Sequence, residues 1–201
     1  PLLMVTTFLR ERDPAYRRMQ EWALTFLREM GSREWNVEGV CTESPGYSFW
    51  TAGMYAEALP VLAACSGEPL SSFVTPNLRA LMRTVLHYTS TWKEDVPGFD
   101  WPIGMYWGDA SAWVGPAYLA MMATVCGDAE AAWCWELKYR GLATPDPSLL
   151  VYAEGWPAPR EPELPPAWRT VEQPQVFFRT GRSAADAVVA VHNMRSRGDH
   201  V

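Results

Sequence analysis

Residues 41–50, CTESPGYSFW, lead from a polar loop into a strongly apolar helical run. A Pro-Gly turn and three aromatic side chains stand within these ten positions, and the first aromatic is the ionisable phenol of Tyr47. The run that follows is apolar on nearly all sides until Ser66 and Gly67 end it, which is typical of a buried helix. We therefore predict a core helix over residues 47–65, with a group that can exchange protons at its entrance.

The chain on either side of this run has the pattern of amphipathic helices. Residues 14–30 begin with the capping pair Asp13-Pro14 and are predicted to end at Gly31. Their apolar face consists of large residues three or four positions apart: Tyr16, Met19, Trp22, Phe26 and Met30. Further helices are predicted at 76–92, 113–125 and 129–141. The short connections between successive helices predict antiparallel neighbours, as in an α/α hairpin array.

The composition changes after the helices. Residues 144–174 carry eight prolines and cannot form a continuous helix. Two strand patterns follow, QVFFRTG at 175–181 and DAVVAVHNM at 186–194. We predict three parts of the chain: helices over 1–143, a linker over 144–174 and the start of a β domain over 175–201.

The elements predicted at both ends of the chain need further secondary structure to pack against. Residues 1–12, PLLMVTTFLRER, form an apolar run with no cap before it, and two strands cannot bury a sheet face alone. We therefore expect a piece of a longer protein. Isolated, such a piece would be inactive and marginally soluble, because a partial array of helices leaves an apolar edge exposed.

Charge and composition exclude some classes of partner. The net charge of −6 argues against a nucleic-acid binder, and no apolar run reaches the length that a membrane requires. The four cysteines lack the spacing of a zinc site, and their even number permits disulfides without implying them. The chain has eleven tryptophans, far above ordinary usage. Their rings could either pack in a helical core or be exposed and bind sugars.

Three segments form a further pattern when they are taken together. Glu38-Gly39, followed by TESPGY at 42–47, is similar to a DG…EGPGY segment. MYWGDAS at 105–111 resembles an aromatic-Gly-Asp segment that precedes a late toroid helix, and VFFRTGRSAADAVVAVHN at 176–193 resembles the opening strands of a β-sandwich. In this order and at these distances, the segments resemble the heparinase II/III-like polysaccharide lyases over most of the chain.

The resemblance implies a mostly helical chain that is the C-terminal part of an (α/α) toroid, followed by the beginning of an antiparallel β-sandwich domain. The family's active site lies in the cleft between the two. Its reaction is β-elimination at a uronic acid, in which a base removes the C5 proton and an acid protonates the departing O4. The implied partner is an acidic polysaccharide, without nucleic acid or membrane, and the implied location is the periplasm or the cell exterior.

The same resemblance assigns roles to individual residues. The tyrosine of the EGPGY-type motif is catalytic in the family, and only Tyr47 matches it. A phenol can take a proton as phenolate and give one as phenol, although its ordinary pKa near 10 calls for a nearby cation or hydrogen-bond donor. His200 is the second catalytic candidate, because the family's His-rich stretch begins there, whereas His87 is interpreted as structural. The substrate-binding candidates are Glu43, Trp50, Trp107 and Arg179.

The sequence departs from the family at two positions of this motif. Ser44 stands where the family usually has Gly, and Trp50 stands where it has another Tyr, so the second aromatic cannot exchange protons. Three other functions stay open: an (α/α)-toroid glycoside hydrolase, a uronyl epimerase and a non-catalytic glycan-binding protein. The hydrolase would need two carboxylates across the scissile bond, for which Glu43, Asp100 and Asp109 are the candidates.

The candidates also have plainer structural explanations. Tyr47 would then be a packing aromatic at a helix start, Glu43 would complement the helix dipole, Trp107 would be buried, and Arg179 would be a solvated strand residue. No cofactor or metal ligand set is predicted within the chain. A structural metal in the sandwich would depend on His and Asp residues beyond Val201.

Overall fold

The computed structural model describes residues 6, 9, 11–41, 45–89, 114–139, 149–152, 154–172, 174–181 and 186–192. The helices are α1 (Pro14–Arg33), α2 (Pro45–Ser66), α3 (Pro76–Thr89), α4 (Pro116–Cys126), α5 (Ala129–Tyr139) and the single turn α6 (Leu149–Tyr152), with a 3-10 turn at Leu70–Phe73. The strands are β1 (Ala167–Arg169), β2 (Gln175–Arg179) and β3 (Val188–His192). The predicted class, a mostly helical chain with antiparallel strands after the helices, is therefore confirmed.

Helix α1 begins where the sequence predicts and ends later. The Asp13 carboxylate accepts a hydrogen bond of 2.7 Å from the Ala15 N–H and caps the helix, with Pro14 in the first turn. The predicted stop at Gly31 is wrong, because the helix continues to Arg33. Gly31 is instead a point of close packing: a Cβ there would lie 2.6 Å from the Tyr55 hydroxyl oxygen of α2.

The centre of the helical part is α4. Every residue from Pro116 to Ala123 is buried, which explains why this helix is apolar on all sides. It packs against α2, α5 and α6. The predicted helix over 113–125 starts later than expected, since Val114 and Gly115 precede the first helical residue.

Three buried tyrosines connect the helices through their hydroxyl groups. Tyr55 donates to the Phe73 carbonyl (3.1 Å), Tyr118 donates to the Leu78 carbonyl (2.8 Å), and Tyr152 donates to the Ala56 carbonyl (2.7 Å). Because the neutral phenol makes these bonds in a place that water does not reach, burial raises the pKa of Tyr55 to about 12. Burial also raises the pKa of Tyr118 and Tyr152 above the ordinary value.

These phenols predict a loss of stability in alkali. The pKa of Tyr55 is about 12 in the folded chain and near 10 in the unfolded chain. The contribution of Tyr55 to the free energy of unfolding is therefore complete below pH 10 and is lost as pH rises through 12, by about 3 kcal/mol. Urea unfolding between these pH values should show the decline, and Tyr55→Phe should make it shallower. An equally steep decline in Tyr55→Phe, or a shallower one in the half-buried Tyr16→Phe, would contradict this assignment.

The segment 144–174 is more than a linker. It contains the turn α6 and the strand β1, neither of which the sequence predicted, and Tyr152 within it is fully buried. Prolines prevent a long helix there, but they leave room for one helical turn and for a strand of three residues. The assignment of this segment as a connection between two domains stays a prediction.

The three strands form one antiparallel sheet in the order β1-β2-β3. The two predicted strands are confirmed and pair directly, with Phe177 opposite Ala190 and Phe178 opposite Val189. Because side chains alternate between the faces of a strand, buried Phe177 points towards the helices while Phe178 is exposed on the outer face. Val189 and Val191 share that outer face, so large apolar side chains stand on both sides of the sheet.

Candidate functional site

Tyr47 lies in the first turn of α2 and is half-buried. The residues around it are fixed, since Ser48 is buried and its hydroxyl oxygen accepts a hydrogen bond of 2.8 Å from the indole N–H of Trp35. Trp50 and Met54 follow on the same side of the helix, three and seven residues later. Trp50 is 50% exposed and Met54 is 45% exposed. The start of α2 therefore presents a phenol beside an accessible indole ring on a rigid support.

The other described tyrosines divide into two groups. Tyr55, Tyr88, Tyr118, Tyr139 and Tyr152 are buried, and each donates its hydroxyl proton to an oxygen within the protein. Such phenols use their hydroxyl protons within the fold and are out of reach of a polymeric substrate. Only Tyr16 and Tyr47 among the described tyrosines are half-buried, and each lies in the first turn of its helix. Of these two, only Tyr47 is followed one turn later by an exposed indole ring, that of Trp50.

The loop before α2 has a defined structure. The side-chain oxygen of Asn36 accepts hydrogen bonds from the N–H groups of Glu38 (3.0 Å) and Val40 (2.9 Å). Gly39 has a φ of 73°, a left-handed conformation that glycine adopts without strain. A Cβ at Gly39 would overlap the backbone of Ala80 and Leu81 in α3. The Glu38-Gly39 pair thus allows the loop to run directly along α3.

Glu38 also connects this loop to the sheet. Its carboxylate accepts hydrogen bonds from the N–H of Val171, at 3.0 and 2.8 Å, and from the N–H of Glu172, at 2.9 Å. Both donors lie in the turn between β1 and β2. The sequence marks Glu38 only as part of a motif, because a contact between residues 133 positions apart leaves no local signal.

Arg179 is placed differently from either sequence-based interpretation. It is only 8% exposed, and its Nη2 lies 3.1 Å from Nδ1 and 3.3 Å from the carbonyl oxygen of His87 in α3. Because a guanidinium only donates hydrogen bonds, Nδ1 of His87 is the acceptor in this contact. The ring of Trp168 stacks on that imidazole, with centroids 4.4 Å apart. The solvated-strand alternative is wrong, and a role in substrate binding stays a prediction.

Aromatic rings join these parts into one core. The Phe49 ring meets Tyr88 edge-on at 5.8 Å, and Tyr88 meets Phe177 edge-on at 4.5 Å. The Tyr88 hydroxyl group donates to the Gln175 side chain at 3.2 Å. Since Phe49 is two residues from Tyr47, the start of α2 lies close to the junction between helices and sheet.

Several predicted residues lie outside the described part of the chain. They are Glu43, Trp107 and His200 among the site candidates, and Asp100 and Asp109 among the carboxylates proposed for a hydrolase. The structure therefore places Tyr47, Trp50 and Arg179, with Tyr47 and Trp50 on one helix face and Arg179 in the interior.

The described residues were also compared with the requirements of a metal site, a disulfide and a membrane span. Within them, no three or more His, Cys, Asp and Glu side chains gather as a metal would require, and no disulfide joins the four cysteines, all of which are described. No helix in the described ranges is both long and apolar enough to cross a bilayer. No protein-family model matches this chain, and no curated protein matches its sequence.

Proposed function

We propose that this chain supplies the tyrosine of a polysaccharide lyase that cleaves uronic-acid polymers by β-elimination. The observation that carries the proposal is the α2 face on which half-buried Tyr47 precedes exposed Trp50 by one turn. A pyranose ring can stack its C–H face on the indole of Trp50. Its acidic C5 proton would then lie within reach of the neighbouring phenol.

The helix itself assists this chemistry. The N-terminus of α2 carries a partial positive charge of about half a unit, and helical side chains lean towards that end. In the reaction, the phenolate oxygen takes the C5 proton, the C5–H electron pair becomes the C4–C5 double bond, the C4–O4 bond breaks, and O4 receives a proton from the phenol.

The identity of residue 50 restricts the substrate. An indole N–H is a donor that does not take up a proton, so Trp50 cannot share the proton transfers. On this face of α2, Tyr47 is then the group that serves both C5 and O4, which requires the C5 hydrogen and O4 to lie on the same face of the sugar ring. Glucuronate has this arrangement, whereas galacturonate and iduronate have the two groups on opposite faces. We therefore propose glucuronate as the unit that is cleaved.

The architecture that we propose is a partial (α/α) toroid followed by the first strands of a β-sandwich. The apolar outer face of the sheet supports it, because Phe178, Val189 and Val191 are about half exposed. In an antiparallel sheet with one face exposed to solvent, apolar and polar residues normally alternate along each strand. A face of this kind is typical of a sheet that a second sheet covers.

A non-catalytic glycan-binding protein is the second candidate. The exposure of Trp50 favours it, because an accessible indole binds sugar with or without an adjacent base. The two functions differ in whether ligand is consumed.

The first experiment uses the protein encoded by the complete reading frame that contains this chain. Hyaluronan, which alternates glucuronate with N-acetylglucosamine, and polygalacturonate are incubated with it, and the ultraviolet absorbance of the unsaturated product is followed. We expect a rise with hyaluronan and none with polygalacturonate. New reducing ends without absorbance would indicate a hydrolase, and binding without either signal would indicate the glycan-binding protein. A rise with polygalacturonate alone would contradict the assignment of both proton transfers to Tyr47.

A further inference from the structure

Helix α1 exposes its largest apolar side chains. Trp22 is 62% exposed, Phe26 is 52% exposed and Met19 is 41% exposed. The rings of Trp22 and Phe26 stack on each other with centroids 5.6 Å apart and planes 18° from parallel. They form a continuous aromatic surface on the solvent side of the helix.

The buried side of α1 shows how unusual this is. Its buried residues are Gln20, Ala23 and Gly31, and the partly buried Leu24, Leu27 and Met30 also pack against the core, whereas the aromatic rings of the helix do not. A surface helix normally buries its large apolar residues and exposes polar ones. An apolar patch on the exposed side is characteristic of an interaction site.

A cation adjoins this aromatic surface. Arg18 precedes Trp22 by one turn, and the two residues line a shallow depression together with Ala15 and Met19. Arg18 forms no ion pair with any described residue, whereas Arg33 on the same helix is paired with Glu29 at 2.9 Å. The guanidinium of Arg18 is thus available to an anion that lies over the tryptophan ring.

We propose that Arg18, Trp22 and Phe26 form a second binding site for the acidic polysaccharide, separate from the α2 face. The pyranose ring of a uronate stacks on Trp22, and its carboxylate binds the Arg18 guanidinium. The spacing of four positions from Arg18 to Trp22 corresponds to about 6 Å along the helix, which suits one sugar unit. The substrate class rests on the proposed function, and the charge of Arg18 favours an acidic over a neutral glycan.

Calorimetric titration tests the site directly. A hyaluronan oligosaccharide is titrated into the protein from the complete reading frame, carrying Tyr47→Phe so that ligand is not consumed, and a chitin oligosaccharide of equal length serves as the neutral ligand. We expect Trp22→Ala to raise the Kd for hyaluronan about tenfold, or about 1.4 kcal/mol, and Arg18→Gln to raise it about fivefold. Arg17→Gln, the matched control, removes an exposed charge beside the site and should leave the Kd within about twofold.

Two results would overturn the site. One is an unchanged Kd in both Trp22→Ala and Arg18→Gln. The other is a dimer in sedimentation that Trp22→Ala dissociates, which would make this face a contact between two copies of the chain. Loss of hyaluronan binding in the Trp22 and Arg18 variants, without any unsaturated product from the wild type, would support the site while the lyase proposal failed. Unsaturated product from the wild type, together with an unchanged Kd in the Trp22 and Arg18 variants, would support the lyase proposal and contradict the second site.

Discussion

Replacing Tyr47 with phenylalanine should lower kcat on hyaluronan by at least about a thousandfold while leaving KM within about twofold. The substitution removes one oxygen and retains the ring, so the packing at the start of α2 stays intact. Since the phenol oxygen would take the C5 proton and then protonate O4, its loss removes both steps. Initial rates from the absorbance of the unsaturated product, over a range of substrate concentrations, separate kcat from KM.

Two further variants make this result specific. Tyr16→Phe removes the same oxygen from the other half-buried tyrosine of the described chain and should leave kcat unchanged. Trp50→Ala should mainly raise KM, because the indole would bind the sugar before and during the reaction. Full activity in Tyr47→Phe would make Tyr47 a packing residue and would exclude it as the proton-transfer group.

The sequence predicts elements well where the signal is local. Asp13-Pro14 specifies the start of α1 through a capping hydrogen bond, and the alternation in QVFFR specifies β2. The stop predicted at Gly31 fails because a glycine that accommodates Tyr55 looks the same in sequence as one that ends a helix. Strand β1 is missed because three residues between prolines carry almost no periodicity.

Periodicity also identifies which residues share a face without saying which way the face points. Met19, Trp22 and Phe26 do lie on one side of α1, but that side faces solvent. The core side of α1 carries Ala23 and Gly31 together with the partly buried Leu24 and Leu27, and at Gly31 the helix approaches Tyr55 of α2 too closely for a larger residue. The need for a small residue at this point depends on the shape of α2, and no sequence pattern within α1 indicates it.

The sequence predicts the position of one candidate site residue, Tyr47, but not the burial of another, Arg179. The motif predicts Tyr47 at a helix entrance, and the structure places it there. The burial of Arg179 depends on His87 and Trp168, which are distant in sequence. A strand pattern assigns a side chain to one of two faces, and only the tertiary contacts show which face is buried.

The second large effect concerns Gly39. Gly39→Ala should lower the free energy of unfolding by about 3 kcal/mol or more, because two costs add. A left-handed conformation costs a residue with a Cβ about 1–2 kcal/mol, and forcing extra atoms into a packed site costs about 1–3 kcal/mol. The atoms that block the Cβ belong to the backbone of Ala80 and Leu81, so a side-chain rotation cannot relieve the overlap. Urea unfolding of the two proteins measures the difference.

Gly67 provides the matched control. Its φ is 76°, close to the 73° of Gly39, but a Cβ at Gly67 would meet nothing within 4 Å. Gly67→Ala should therefore cost only the conformational part, about 1–2 kcal/mol, and the difference between the two variants isolates the contact with α3. Because Glu38 holds the β1–β2 turn, a displaced loop at Gly39 would also separate the sheet from the start of α2. Equal losses in the two variants would mean that the loop moves away from α3 at no cost.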